Sequence, residues 1–400
     1  MRPLIGERFA ADNPGGRQGL MSVSALQRRA REARCWLLDS CFPLWADHGV
    51  NEAGLFPESL TTSLDEAPAE YTRVRVQARQ TYVFSEAWRL GWKRDTAAKL
   101  VNAGVATLAG RALNAQGLAG RTLSTSSGHL VDVTSDLYDT AFVLFSLAEA
   151  ARGPGPAEPA MAAAQGILMN LEKSARDAAQ GGYAETLPPP AHRQQNPHMH
   201  LLEACLALHA VQPDGGHMAR AQELIDLFET KLTAGPNGLL GEHFAPDWSP
   251  LPGDPGRIVE PGHQFEWVWL LHAYARQAGE PVSPAAERLY TFALTTLDVE
   301  GRAILSAARG GAPIDASRRA WPQTEALKAH LAMLEARRDD RYAAAACRSF
   351  DILMDEHLTE DGGWIDHIGA DGAVVSNAIP ASTGYHVVLA FAELIRVMNA

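Results

Sequence analysis

Two histidine–carboxylate pairs stand out in the sequence. His263 with Glu266 and His200 with Glu203 are each three residues apart, so each pair shares one face of a helix. Trp321 and Glu325, four apart, share a face in the same way. Arg79 lies in VRVQARQTYVFS, framed by the apolar Val74, Ala78 and Val83, and His386 follows Ser382-Thr383 near the C-terminus. This inventory suits carbohydrate chemistry. Aromatic faces such as those of Trp321 and Trp364 can stack on the C–H face of a sugar, while Arg, Asn, His and Glu hold its hydroxyls. Removing a proton from the carbon beside a sugar carbonyl needs a base that is close and neutral at working pH. Histidine fits, with an unperturbed pKa of about 6.5. A helix N-terminus disfavours the imidazolium form and so keeps such a base ready.

The other histidines, His48, His129, His209, His217, His330 and His357, read as ordinary core or surface residues, and most aromatics read as core. His198 and His200 are two apart and point to different sides of a helix, so they make no H-x-H metal pair, and no third ligand is indicated. No metal and no cofactor are expected. A glycosidase would need a pair of opposed carboxylates, and no single Asp or Glu pair stands out for that work.

The elements that must position these residues are helical. Leu26, Ala30, Ala33, Leu37, Cys41 and Leu44 form one apolar stripe, and the same periodicity recurs over 72–92, 95–114, 135–152, 158–177, 198–211, 216–233, 263–278, 283–297, 320–337, 340–357 and 383–398. Between them lie loop-like stretches such as GPGPAEP, QGGYAETLPPP, ARGGAPID and EDGGW. Strand-like alternation is scarce. Richer helices alternate with plainer, Ala-rich ones. One polar residue marked on each richer helix gives Arg79, Tyr138, His200, His263, Trp321 and His386, at steps of 59, 62, 63, 58 and 65 residues. A unit of about sixty residues is a pair of helices with loops, and six of them predict an all-α, six-hairpin (α/α)6 barrel whose inner helices line a pocket. An open superhelix would not call for polar groups on every second helix. Asn196-Pro197 before His200, Glu260-Pro261-Gly262 before His263 and Ser382-Thr383 before His386 put the polar residues near helix N-termini, so the pocket is expected at that rim. The expected organisation is an N-terminal arm over 1–22 and one barrel domain over 23–400.

Bulk properties agree and narrow the function. A chain of 400 residues with 46% hydrophobic and 20% charged residues can bury a large core. A net charge of −12 with scattered basic residues excludes a nucleic-acid footprint and disfavours anionic membranes. The N-terminal stretch lacks the apolar core of a signal peptide, and no apolar run reaches spanning length, so a cytoplasmic protein is expected. Cys35, Cys41, Cys205 and Cys347 stand at no zinc spacing and are expected reduced and mostly buried. The expected partners are a small-molecule sugar and, at most, a second copy of the chain in a homodimer.

Seven segments in register, VRVQARQTYVFSEAW, SDLYDTAFVLFSLAE, QNPHMHLLEACLAL, PGHQFEWVWLL, RAWPQTEALKA, GGWIDH and STGYH, resemble the N-acylglucosamine 2-epimerase family, whose members include mannose isomerases and cellobiose 2-epimerases. The resemblance implies an (α/α)6 barrel and an acid/base pair formed by His263 and His386. It implies that Arg79 contacts the sugar oxygens near the reacting carbon, that Glu266 orients or charge-couples His263, and that His200 and Glu203 match the family's H-x-x-E. Trp321, with Glu325 beside it, matches a pocket tryptophan, and Tyr138, Asn196 and Trp364 complete the expected sugar contacts. His386 would remove the C2 proton of an opened sugar, His263 would assist ring opening or reprotonation, and Arg79 would stabilise the enediolate oxygen without a metal. Return of the proton to C1 gives aldose–ketose isomerisation, and delivery to the opposite face of C2 gives epimerisation. QARQTYVFS and QNPHMHLLEA look closer to the mannose-isomerase branch, so conversion of mannose to fructose is the expected reaction. A 2-epimerase of N-acylglucosamine or glucose/mannose is the alternative, followed by a non-catalytic sugar-binding toroid and an inverting glycosidase. No G-x-x-x-x-G-K loop suggests a nucleotide. A phosphorylated sugar would want basic groups such as Arg257, Arg318 or Arg319.

Overall fold

The computed structural model describes residues 17–399. Twelve principal helices alternate between two concentric rings. The inner ring is α3 (Val74–Arg89), α5 (Leu137–Arg152), α7 (Asn196–Val211), α9 (Pro261–Ala278), α11 (Ala320–Arg337) and α13 (Thr383–Met398). The outer ring is α1 (Arg17–Trp36), α4 (Arg94–Ala106), α6 (Ala157–Ser174), α8 (His217–Leu227), α10 (Ala285–Thr295) and α12 (Asp340–Ile352), and a π turn joins α1 to the short α2 (Phe42–His48). Each inner helix packs on its inner neighbours, and α13 closes the ring against α3 while α1 packs on α12 and α13. The barrel therefore has six hairpins, as the sixty-residue period predicts.

Composition assigns the two rings. Every residue of α7 from Pro197 to Leu208 is buried, because that helix meets outer helices on one side and the barrel axis on the other. The outer α6 buries only the stripe Ala160, Ala164, Ile167, Leu168 and Leu171. Small residues set the spacing between rings. At Gly104 on α4, an added Cβ would lie 2.0 Å from Thr81 Oγ1 on α3, so only glycine allows this approach.

The sequence analysis finds strands scarce, yet short antiparallel pairs ring one end of the barrel. Tyr71–Arg73 pairs with Thr122–Ser124, Ser135–Asp136 with Thr186–Leu187 and Arg193–Gln194 with His243–Phe244. Ile258–Val259 pairs with Ser306–Ala308, Arg318–Arg319 with His367–Ile368, and Ala378–Pro380 with Ser59–Thr61. In each case one strand runs into the start of an inner helix. These pairs are two or three residues long, too short for an alternating pattern to register. They tie the N-termini of the inner helices to one rim.

The arm expected over 1–22 falls partly outside the described residues, and the first helix already begins at Arg17. Cys41, Cys205 and Cys347 are buried and Cys35 is exposed, and all are free thiols. Among the described residues no helix is long and apolar enough to cross a membrane.

Gly104→Ala is expected to destabilise the protein by roughly 1–3 kcal/mol through its clash with Thr81, whereas Gly166→Ala on α6, where nothing lies within 4 Å, should stabilise by up to about 1 kcal/mol. Urea denaturation of the two variants checks both signs.

Candidate active site

The rim collects the chemistry-bearing residues. His263 and His386 stand near the starts of α9 and α13. Trp321, near the start of α11, lies between them, with ring centroids 5.0 Å from His263 and 5.9 Å from His386. Trp321 is only partly buried, so it remains available as a platform. Its placement depends on Gly262: a Cβ there would sit 2.3 Å from the Trp321 ring. The glycine of the P-G-H sequence is thus the space into which the indole fits.

The two histidines differ in their partners. His263 Nδ1–H donates to Glu242 Oε2 at 2.8 Å, and Glu260 Oε2 is 3.5 Å from the same nitrogen. Burial works against the imidazolium, but the Glu242 and Glu260 carboxylates outweigh it and raise His263 to about 10. His386 Nδ1 and Glu325 Oε1 are hydrogen-bonded at 2.9 Å. Burial, together with the positive charges of Arg79 and Lys328, pushes His386 well below its ordinary value. At neutral pH one histidine therefore carries its proton and the other does not. The helix N-terminus does not keep His263 neutral, because two carboxylates overrule it.

Glu242 is the residue that the sequence reading missed. It is buried in the loop before His243–Phe244 and accepts the Glu260 backbone N–H at 3.0 Å and Gln195 Nε2–H at 3.1 Å. Gln195 is in turn held by Trp267 Nε1–H at 2.9 Å. Glu242 takes the orienting role expected of Glu266. Glu266 lies one helical turn further into the barrel, where its Oε1 is 4.0 Å from His200 Nδ1. Burial and the nearby Glu325 raise the Glu266 carboxyl well above its ordinary range.

Around this pair the structure brings together most of the other expected residues. Arg79 Nη2 donates to the Tyr138 hydroxyl at 2.7 Å and Nη1 to the Ser382 carbonyl at 3.2 Å, and its guanidinium lies 4.1 Å from the Phe142 ring centroid. His200 Nδ1–H donates to Glu203 Oε2 at 3.1 Å, and the Tyr385 hydroxyl donates to the same carboxylate at 2.6 Å. Burial lowers His200 to about 4. Tyr385 also went unnoticed in the sequence, although it adjoins His386. Asn196 lies to one side, lining a cavity of about 340 Å³ with Tyr138, Arg75 and Arg121.

Glu203 and Glu325 sit behind the histidines rather than in the opening: Glu325 is fully buried and spans His386 and Lys328. Trp364 is not a sugar platform. It is buried, stacked on Trp45 at 4.9 Å, and its indole N–H donates to the Pro380 carbonyl. The ring belongs to the core. His198 also points away from the axis, accepting the Tyr183 backbone N–H at 3.0 Å and meeting Trp248 edge-on.

A closed ring of six helical hairpins with paired histidines, an arginine and an indole gathered at one rim is the arrangement of a barrel enzyme of carbohydrate chemistry. The N-acylglucosamine 2-epimerase (GlcNAc 2-epimerase) family profile matches residues 57–390. Among relatives, the chain is 35% identical over 379 residues to the mannose-6-phosphate isomerase of Rhizobium meliloti (strain 1021), covering 92% of this chain and 96% of that one. It is 25% identical over 359 residues to the cellobiose 2-epimerase of Bacteroides fragilis, covering 83% and 89%. The solved structure of cellobiose 2-epimerase from Spirochaeta thermophila DSM 6192 superimposes with a TM-score of 0.83 at 23% identity, covering 94% of this chain and 97% of that one. The chain belongs to the N-acylglucosamine 2-epimerase family and is a carbohydrate isomerase or epimerase acting on a small-molecule sugar.

Replacing Glu242 by Gln removes the carboxylate nearest His263, so His263 should lose its proton at a lower pH. The alkaline limb of kcat/KM is expected to move down by about one unit or more while the acid limb stays in place, as a pH–rate profile will read.

Proposed function

We propose that the protein is a metal-independent aldose–ketose isomerase acting on free D-mannose or a closely similar sugar. The observation that carries this reading is the contrast in partners on either side of Trp321: Glu242 and Glu260 approach His263, while the carboxylate bonded to His386 is shared with Lys328, which sets the two imidazoles toward opposite protonation. Neutral His386 is the base that takes the C2 proton from the opened sugar. Protonated His263 is the acid that serves ring opening and reprotonation. Arg79, charged and anchored by Tyr138, stabilises the enediolate oxygen. Trp321 carries the C–H face of the sugar.

The 35% identity to a chain named mannose-6-phosphate isomerase supports a mannose-type substrate. The rim arginines favour the unphosphorylated form. Arg318 is bound to Glu356 at 2.7 Å, Arg319 to Asp366, and Arg257 lies 3.5 Å from Asp254, so each already has a carboxylate partner. A 2-epimerase is the second reading. It is favoured by the two histidines belonging to different inner helices, an arrangement that could serve opposite faces of C2.

Proton NMR of D-mannose with the EDTA-treated protein in D2O tests the proposal. Fructose carrying deuterium is the expected product, and glucose as first product would favour the epimerase. Turnover of mannose 6-phosphate alone would overturn the free-sugar reading, and turnover only after metal is restored would overturn the metal-independent one. His263→Asn and His386→Asn should each lower kcat by about 10²–10⁴-fold with the fold retained by circular dichroism.

A further inference from the structure

Behind the rim, the barrel axis holds a buried ammonium. Lys328 stands on α11 one turn beyond Glu325 and is fully buried. Its Nζ lies 2.6 Å from Glu325 Oε2 and 4.2 Å from the Trp269 ring centroid. A lysine charge is costly to bury and persists only beside close anionic partners. The other oxygen of Glu325 lies 2.9 Å from His386 Nδ1, within hydrogen-bond distance. One carboxylate thus links the ammonium to the imidazole.

Three carboxylates crowd this region: Glu203, Glu266 and Glu325 all act on Lys328. Like charges so close cannot all be ionised at equal cost, and their donors decide which one holds a proton. Glu203 has two donors, His200 and Tyr385. Glu266 Oε1 is buried without a hydrogen-bond partner. Glu325 has the ammonium nearest to it. If Glu325 were protonated, its O–H would donate to His386 Nδ1, and the imidazole would carry its hydrogen on Nε2. The lone pair needed for proton abstraction would then be lost.

We propose that Lys328 is a positioning residue for the proton-abstraction step: its ammonium keeps Glu325 ionised, and ionised Glu325 fixes His386 as the Nδ1–H tautomer with Nε2 free as the base. This rests on the reading of His386 as the base. The charged and titratable groups around the pair are Arg79 from α3, His200 and Glu203 from α7, His263 and Glu266 from α9, and Tyr385 beside His386 on α13. Arg79 and Lys328 both disfavour a proton on His386, and Lys328 is the one in contact with Glu325.

Lys328→Met and Lys328→Gln test the proposal. With the ammonium gone, Glu325 takes up a proton at higher pH, so the acid limb of kcat/KM should move up by about one to three units. KM above the limb should be unchanged. A purely structural role predicts instead a loss of activity by the same factor at every pH with the limb in place, and that result would overturn the proposal. The tautomer is read independently by ¹⁵N NMR of the substrate-free wild type, with His386 assigned from the spectrum of His386→Asn. The Nδ1–H form from mildly acidic to neutral pH is expected, and the Nε2–H form overturns the proposal even if neither lysine variant folds. Because this spectrum needs no turnover, an absence of activity on every sugar tried would count against the isomerase reading alone.

Discussion

The cost of burying charge organises this molecule. The centre of an α/α ring is walled by helices on every side, so each ionisable group placed there must find a partner or give up its charge. The partners come from different hairpins. Glu242 in the loop before His243–Phe244 serves His263 on α9, Glu325 on α11 serves His386 on α13, and Tyr385 on α13 serves Glu203 on α7. Some pairs lie within one helix, as His200 with Glu203 and Lys328 with Glu325, but those that hold the two rim histidines reach across elements, so the polar network and the closure of the ring support each other. A sliding of one inner helix by a single turn would leave several buried groups unpaired at once. That gives the ring a definite register that apolar packing alone would set less sharply.

The short strand pairs carry this register to the rim. Each holds an inner-helix N-terminus against the loop of the next hairpin, and three of those loops bring a carboxylate immediately before the paired strand. Glu185 accepts the Gln194 backbone N–H, Glu242 accepts from His263, and Asp366 accepts from Thr383 Oγ1. The same position in the repeat serves the backbone in one hairpin, a histidine in another and a helix start in a third. The repeat therefore provides positions, and the residue type at each position determines whether it supports structure or chemistry.

The helical rings were legible because their signal is long: inner helices of sixteen residues or more and outer helices of eleven to twenty show a burial pattern that a few substitutions cannot hide. The positions of Arg79, Tyr138, His200, His263, Trp321 and His386 followed from the period, and the structure gathers all six at the inner ring. Glu242 was not legible as a lone acid in an irregular loop. The period did contain a signal for it, since Glu185, Glu242 and Asp366 are spaced by 57 and 124 residues, one and two repeats. The resemblance implies that Glu266 orients or charge-couples His263; the structure gives the orienting bond to Glu242, while Glu266 lies nearer His200 and acts on His263 through its charge. Trp364 misled for a different reason: an aromatic side chain near the rim in sequence can fill the core beneath it, and only the stacking on Trp45 separates the two roles.

The two histidines have similar burial and opposite charge states, and the reason is a count of neighbours. Two carboxylates, Glu242 and Glu260, approach His263, and its proton is held. The carboxylate bonded to His386, Glu325, is already paired with Lys328, and Arg79 adds a further positive charge. Electrostatics thus drives two imidazoles of one residue type toward opposite charge states. A hydrolase would need its carboxylates facing the sugar. Here Glu242 and Glu325 hold Nδ1 of the two imidazoles, an arrangement in keeping with the proposed proton transfer at carbon rather than attack by water.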